Sequence, residues 1–159
     1  MIRIMEPSDW ARVAEIYTQG IEKGDATVST VCPSYAEWDA AYRKDCRLVA
    51  IQDGQVVGWV AILPTSAKKA YWGVVEVSIY IDEAYQGRGI GTALMHALFE
   101  ESEKCGYWTL YSAIFSINTA SIALHKKCGF REIGYRERVA KDRFGNWQNT
   151  TIMERRRKD

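Results

Sequence analysis

The sequence predicts a mixed α/β protein, with a mostly antiparallel sheet, one parallel strand–helix–strand crossover and flanking helices. Three observations predict it. Apolar runs of strand length alternate with helical patterns in the order strand, two helices, three strands, helix, strand, helix, two strands. Asp53-Gly54 lies between two apolar runs and signals a tight hairpin. The stretch from Val74 to Phe115 reads strand, long helix, strand, so its two strands should lie parallel with a right-handed crossover. One domain spanning residues 1–159 is expected from this length.

The first strand is short, Ile2 to Met5. Pro7 and Ser8 open a helix, with Ser8 as its expected N-cap, and Trp10, Val13, Ile16 and Tyr17 recur at helical spacing until Gly20. Gly24 to Pro33 reads as a loop. Ser34 and Glu37 then form an S-x-x-E capping box for the second helix. Leu48 to Ile51 and Val56 to Leu63 are the hairpin strands, followed by the strand Val74 to Ile81. A helix from Gly89 to Cys105 ends at Gly106, and Tyr107 to Phe115 is the next strand. The last helix runs from about Asn118 to Cys128 and ends at Gly129. Two final strands flank a turn around Asp142 to Asn146.

Composition excludes several classes. Lys plus Arg number 21 against 20 Asp plus Glu, a formal net charge of +1, so no nucleic-acid partner is expected. The basic run Arg155 to Lys158 reads as a frayed, solvated tail. No apolar stretch approaches the ~20 residues of a membrane helix, and no signal peptide is evident. A cytoplasmic location without membrane attachment is expected. Cys32, Cys46, Cys105 and Cys128 are scattered, and His96 and His125 lie at no metal-ligand spacing from them. No disulfide and no metal are expected.

Chemistry concentrates at Gln86-Gly87-Arg88-Gly89-Ile90-Gly91, between a strand and a helix start. Glycines let the backbone turn tightly and approach a ligand. A helix N-terminus offers unpaired N–H groups and a positive dipole end, so a pyrophosphate suits it. The loop ends Gly91-Thr92 without the lysine of an ATP-binding loop. Its G-x-G-x-G spacing, with no acid at the end of the following strand, also disfavours a dinucleotide.

The glycine loop after a strand, followed by helix, strand and a helix ending in Gly129-Phe130, resembles the GNAT family of acetyltransferases. Within that family the chain is most similar to the phosphinothricin and methionine-sulfoximine N-acetyltransferase branch. The segments that carry this closer likeness are Ala70-Tyr71, Glu76 to Ile81, Ser121 to His125 and Gly145-Asn146-Trp147. The resemblance implies acetyl-CoA as cosubstrate, a small-molecule primary amine as acceptor, and a homodimer. It implies that the backbone of Ile79, Tyr80 and Ile81 pairs with the pantetheine arm. The amides of Gly87 to Thr92 would hold the pyrophosphate within a loop formed by Gln86, Gly87, Arg88, Gly89, Ile90, Gly91 and Thr92, with the Arg88 side chain either meeting a phosphate or lying solvated. Asn118 would touch the cosubstrate where the parallel strands part.

Glu76 lies on the strand face shared by Val74, Ser78 and Tyr80. Alternation alone leaves that face as simply the wetter one. The resemblance implies instead that Glu76 is the base that deprotonates the amine. His125 matches the position where many family members carry a tyrosine that protonates the departing thiolate; a neutral, packed histidine is the other reading. His96 has no matching role. Direct attack in a ternary complex is implied, with an oxyanion held by a strand N–H near Ile79 and no acetyl-cysteine at Cys105 or Cys128.

Tyr71, Trp72 and Trp147 are candidates for the amine pocket, although aromatic cores use the same residues. Familiar members of the branch often carry a segment like Asn-Phe-Arg-Thr-Glu-Pro before the second helix. Here Ser29-Thr30-Val31-Cys32-Pro33 lacks the aromatic and the arginine, so the herbicide itself is not implied as substrate. A non-catalytic acyl-CoA sensor, and acetylation of protein or aminoglycoside amines, are the competing readings.

Overall fold

A computed structural model describes residues 1–159. Its strands are β1 (Ile2–Ile4), β2 (Leu48–Gln52), β3 (Gln55–Pro64), β4 (Val74–Ile81), β5 (Thr109–Phe115), β6 (Arg131–Lys141) and β7 (Trp147–Arg156). They form one seven-stranded sheet in the order β1-β2-β3-β4-β5-β7-β6. Only β4 and β5 are parallel; the other neighbours are antiparallel. The helices are α1 (Trp10–Lys23), α2 (Tyr35–Ala41), α3 (Ile90–Lys104) and α4 (Thr119–Lys127). The expected mixed sheet with one parallel crossover is the observed architecture.

Local signals explain most boundaries. Asp53 and Gly54 both adopt positive φ, 52° and 74°, as the tight β2–β3 turn requires. At α2, Ser34 Oγ accepts the Glu37 N–H at 3.2 Å while Glu37 Oε1 accepts the Ser34 N–H at 3.1 Å. Three expectations need correction. The first helix is preceded by a 3-10 turn at Pro7–Asp9, and Asp9, not Ser8, organises its start. The Asp9 carboxylate accepts the Glu6 N–H at 2.8 Å and takes both Arg3 nitrogens at 2.7 and 2.9 Å, whereas Ser8 is exposed. β5 begins at Thr109, two residues later than expected, because the Trp108 and Thr109 N–H groups first bond the Gly73 carbonyl. Arg155 and Arg156 belong to β7 and not to a frayed tail; the Arg155 guanidinium lies 3.7 Å from the Phe99 ring centroid.

A fourth correction concerns Gly20. α1 runs through it and ends at Gly24, whose φ of 81° supplies the left-handed cap. Gly20 is glycine for another reason: a Cβ there would lie 2.6 Å from Cε1 of Tyr80.

The sheet separates two apolar cores. On one face, Val75 of β4 is fully buried with Leu94, Met95 and Leu98 of α3, and Val77, Ile79 and Ile81 pack against that cluster. On the other face, Tyr17 of α1 and Trp38 of α2 cover Trp59 of β3, and Tyr80 joins them. Tyr80 lies 5.2 Å from the Trp59 ring and 5.0 Å from the Tyr17 ring. The Glu76 face of β4 is therefore not a wet outer face but the edge of a second, aromatic core.

β4 and β5 part company. They pair only from Val74↔Thr109 to Glu76↔Tyr111. Beyond that, β4 stays with β3 up to Gly58↔Ile81, and β5 stays with β7 up to Phe115↔Thr150. Each strand keeps its antiparallel partner, and sheet twist carries the two pairs apart.

Replacing Gly20 with alanine should lower the melting temperature even though alanine favours helix by about 1 kcal/mol, because displacing the wedged Tyr80 ring costs about 1–3 kcal/mol. Thermal unfolding followed by circular dichroism checks this; a raised Tm would mean that the Tyr80 ring moves freely.

Candidate active site

The parting of β4 and β5 exposes backbone groups that a sheet would consume. The Asp82 N–H donates to Val57 O at 2.8 Å across the β3 side. Antiparallel pairing alternates, so the backbone groups of Tyr80 and Ser78 also face β3, while those of Ile81, Ile79 and Val77 face the gap. The Gln86 side-chain amide takes up one of them, donating to Ile81 O at 3.2 Å. The Ile79 N–H and C=O remain for a ligand.

A cleft of about 810 Å³ lies along this edge. One wall is the glycine loop. Gly87 and Gly89 have φ of 74° and 79°, and a Cβ on either would meet nothing within 4 Å, so backbone conformation and not space selects glycine there. The first turn of α3 follows, and its opening amides have no helical partners. Gly91 also lets α4 approach, since its Cβ would lie 3.0 Å from Leu124 Cδ2. Gln86, Gly87, Gly89, Ile90, Gly91 and Thr92 line the cleft together with Asn118. Lys23 and Lys127 line it too, two cations that sequence reasoning passed over. Arg88 lines neither this cleft nor its neighbour; its guanidinium lies 4.7 Å from the Tyr85 ring centroid.

A smaller cavity of about 410 Å³ opens from the other side of the gap. Ala26, Ile79, Tyr80, Asn118 and Ser121 line both, so the two spaces meet where β4 and β5 part. Asn118 is held there as the α4 N-cap, its Oδ1 accepting the Ser121 N–H at 3.2 Å. The smaller cavity is lined by Glu76, Ser78, Ser112 and His125, and by Tyr42, whose hydroxyl donates to Ser78 Oγ at 2.9 Å.

Glu76 is half-buried, and burial alone raises its carboxyl above the ordinary value, with no hydrogen-bonding partner to oppose the shift. His125 is 2% exposed. Its Nδ1 lies 2.7 Å from Ser121 O, a carbonyl that can only accept, so Nδ1 carries the proton. Burial lowers its pKa, so the ring is neutral at pH 7, and Nε2 accepts from Ser112 Oγ at 2.9 Å. Ser112 and Tyr42 were not legible as site residues, because a serine and a tyrosine on apolar elements carry no local signal.

The three aromatic candidates are not brought to either cavity. Tyr71 and Trp72 are 53% and 39% exposed, and Trp72 stacks on Tyr107 at 4.8 Å. Trp147 is 51% exposed beneath Lys141, 5.0 Å from its ring centroid. Tyr71 and Trp72 lie on the connection between β3 and β4, and Trp147 opens β7 at the end remote from the Thr109↔Arg156 pair. His96 is exposed on α3. The four cysteines are free, none lines either cavity, and no group of three His, Cys, Asp or Glu residues could hold a metal ion.

Because the folded chain holds the Glu76 proton more tightly than an unfolded chain, whose carboxyl titrates near 4.5, stability from this group is present below that pH. It is lost as pH rises through the folded value. At pH 7 the buried carboxylate therefore costs stability, and Glu76→Gln should raise the Tm by roughly 1–3 °C at pH 7, with little gain at pH 4. A Tm that falls at pH 7 would mean that favourable contacts hold the charge.

Comparison with known proteins gives this geometry its context. The model of the acetyltransferase (GNAT) family matches residues 10–130. The L-methionine sulfoximine/L-methionine sulfone acetyltransferase of Salmonella typhimurium is 30% identical over 160 residues, covering 96% of this chain and 92% of that protein. The phosphinothricin N-acetyltransferase of Alcaligenes faecalis is 30% identical over 160 residues, covering 97% of this chain and 81% of its own length. Among solved structures, a GNAT phosphinothricin acetyltransferase from Sinorhizobium meliloti in complex with acetyl-CoA superposes with a TM-score of 0.88 at 28% identity, covering 98% of this chain and 87% of that one. The match of most of its length to the family model, with the fold and cleft described, makes this chain a member of the GNAT family of acetyltransferases.

Proposed function

We propose that this acetyltransferase moves the acetyl group of acetyl-CoA onto the primary amine of a small, amino-acid-like molecule, by direct attack in a ternary complex. The observation that carries the reading is the meeting of two cavities at the β4–β5 gap, with Glu76 on the smaller side and the glycine loop on the larger. The relatives named for methionine sulfoximine, methionine sulfone and phosphinothricin support the acceptor class.

Acetyl-CoA fits the larger cleft by its chemistry. Its pantetheine amides match the free groups of Ile79, and its pyrophosphate matches the first turn of α3, with Lys23 and Lys127 at hand. The thioester carbonyl then lies near the Ile79 N–H, which stabilises the developing oxyanion. The amine enters from the smaller cavity, where Glu76, with its raised pKa, takes a proton from the ammonium directly or through water. Nitrogen attacks the carbonyl carbon, the C–S bond breaks, and the thiolate takes up a proton. His125 as placed is an acceptor at Nε2, which supports proton acceptance through Ser112 over donation to the departing thiolate. No cysteine lines either cavity, which supports direct attack without an acetyl-cysteine.

The size of the smaller cavity, about 410 Å³, and its single carboxylate, Glu76, favour a small monoamine over an aminoglycoside bearing several ammonium groups. The family resemblance supports a homodimer as the working form, and four free cysteines suit a reducing cytoplasm. One N-acetyltransferase domain over residues 1–159 completes the proposal.

The test is CoA release from acetyl-CoA against phosphinothricin, methionine sulfoximine, methionine sulfone, ordinary amino acids, polyamines and an aminoglycoside. Release should be strongest with the amino-acid-like amines. Glu76→Gln should keep acetyl-CoA affinity while losing roughly 10²–10⁴-fold in turnover. Binding of acetyl-CoA without release for any amine would favour the sensor, and turnover unchanged in Glu76→Gln would remove Glu76 from the chemistry.

A further inference from the structure

Arg136 is a cation the mechanism leaves unused. It lies on β6 and lines the smaller cavity. Its neighbours at this end of the chain are paired: Arg131 with Glu154, Arg155 with Glu103, and Arg156 and Arg157 with Asp159. Arg136 has no carboxylate within ion-pair distance and makes no side-chain hydrogen bond, and its side chain is solvent-exposed. The cavity therefore has one carboxyl group, Glu76, and one permanent cation, Arg136, since His125 is neutral.

The backbone aims this residue. Arg136 pairs with Thr150, but the next partner pair on β6 and β7 is Ala140↔Gln148, so the intervening β6 segment is bulged. Arg138 takes a φ of 48° there, and its N–H is satisfied by Asn149 Oδ1 at 2.8 Å. Bulges of this kind re-aim side chains beside active sites. Here Arg136, Val139 and Ala140 on the bulged strand, with Thr150 opposite, form one wall of the cavity. Tyr111 on β5, the register partner of Glu76, feels both charges: burial raises its phenol first, Glu76 raises it further and Arg136 lowers it.

We infer that Arg136 is a specificity-determining residue that binds the carboxylate of the acceptor, so that a zwitterionic amino acid spans the cavity with its amine at Glu76 and its carboxylate at Arg136. This inference rests on the acetyl-transfer reading above and deepens it. A guanidinium matches a carboxylate in two parallel hydrogen bonds, geometry that an ammonium does not reproduce. An acceptor without the carboxylate leaves Arg136 as it stands now, solvated and unpaired, and gains nothing from it.

The experiment compares wild type, Arg136→Gln and Arg136→Lys on methionine sulfone and on its primary amide, which keeps the amine and loses the carboxylate. A charge-assisted hydrogen bond is worth enough that kcat/KM for the acid should fall about 10–100-fold in Arg136→Gln, mostly through KM. Arg136→Lys should fall between. On the amide, Arg136→Gln should stay within about 2-fold of wild type, as should its KM for acetyl-CoA. Equal losses on acid and amide, equal use of both by the wild type, or no loss on either would overturn the assignment while leaving acetyl transfer intact. Failure of the wild type to acetylate any amine, with acetyl-CoA bound, would instead overturn the reading on which the inference rests.

Discussion

The site depends on the point where β4 leaves β5. A continuous sheet would bond the Ile79 and Ile81 backbone groups to the neighbouring strand. Instead the ladder stops at Glu76↔Tyr111, and the edge beyond it opens to a cleft on one side and a cavity on the other. Antiparallel pairing holds β4 to β3 as far as Ile81 and β5 to β7 as far as Phe115, so both lips of the gap are rigid. The parted strands are held because one core on the α3 face spans both sides of the gap, from Val57 and Val75 to Leu110, Ile114 and Met153, while a second core covers the other face. An extended chain carrying amides can then complete the edge as a strand would.

Everything else is arranged around that opening. The glycine loop ends at the mouth of the cleft because α3 must start there to cross back to β5. Asn118 caps α4 at the far lip, and two helical turns later His125 presents its ring to Ser112 of β5. Glu76 occupies the last position of β4 that pairs with β5, half-buried beside an aromatic core, and burial raises its pKa with no counter-charge to oppose it. The cost of that buried carboxylate is the kind of local instability that functional sites keep.

What could be read from the sequence was what local physics dictates. The Asp53-Gly54 turn, the Ser34–Glu37 capping box, the crossover from Val74 to Phe115 and the glycine loop each carry their signal within a few residues, and each lies where that signal predicts. Glu76 and His125 were named through resemblance, and strand alternation alone would have assigned Glu76 to a wet face. What escaped detection depends on distant contacts. Gly20 looked like a helix stop because its reason, the Tyr80 ring, lies on a strand far along the chain. Tyr71, Trp72 and Trp147 suggested a pocket by residue type, but the fold turns them outward. Ser112, Lys127 and Arg136 join the cavities only once β5, α4 and the bulge in β6 are in place.

The most direct measurement is amide hydrogen exchange across β4 with and without saturating acetyl-CoA. If the parted edge is completed by the cosubstrate, exchange at the Ile79 N–H slows by at least about 10-fold, while Tyr80, already bonded toward β3, hardly changes. Unchanged exchange at Ile79, with acetyl-CoA demonstrably bound, would contradict the account.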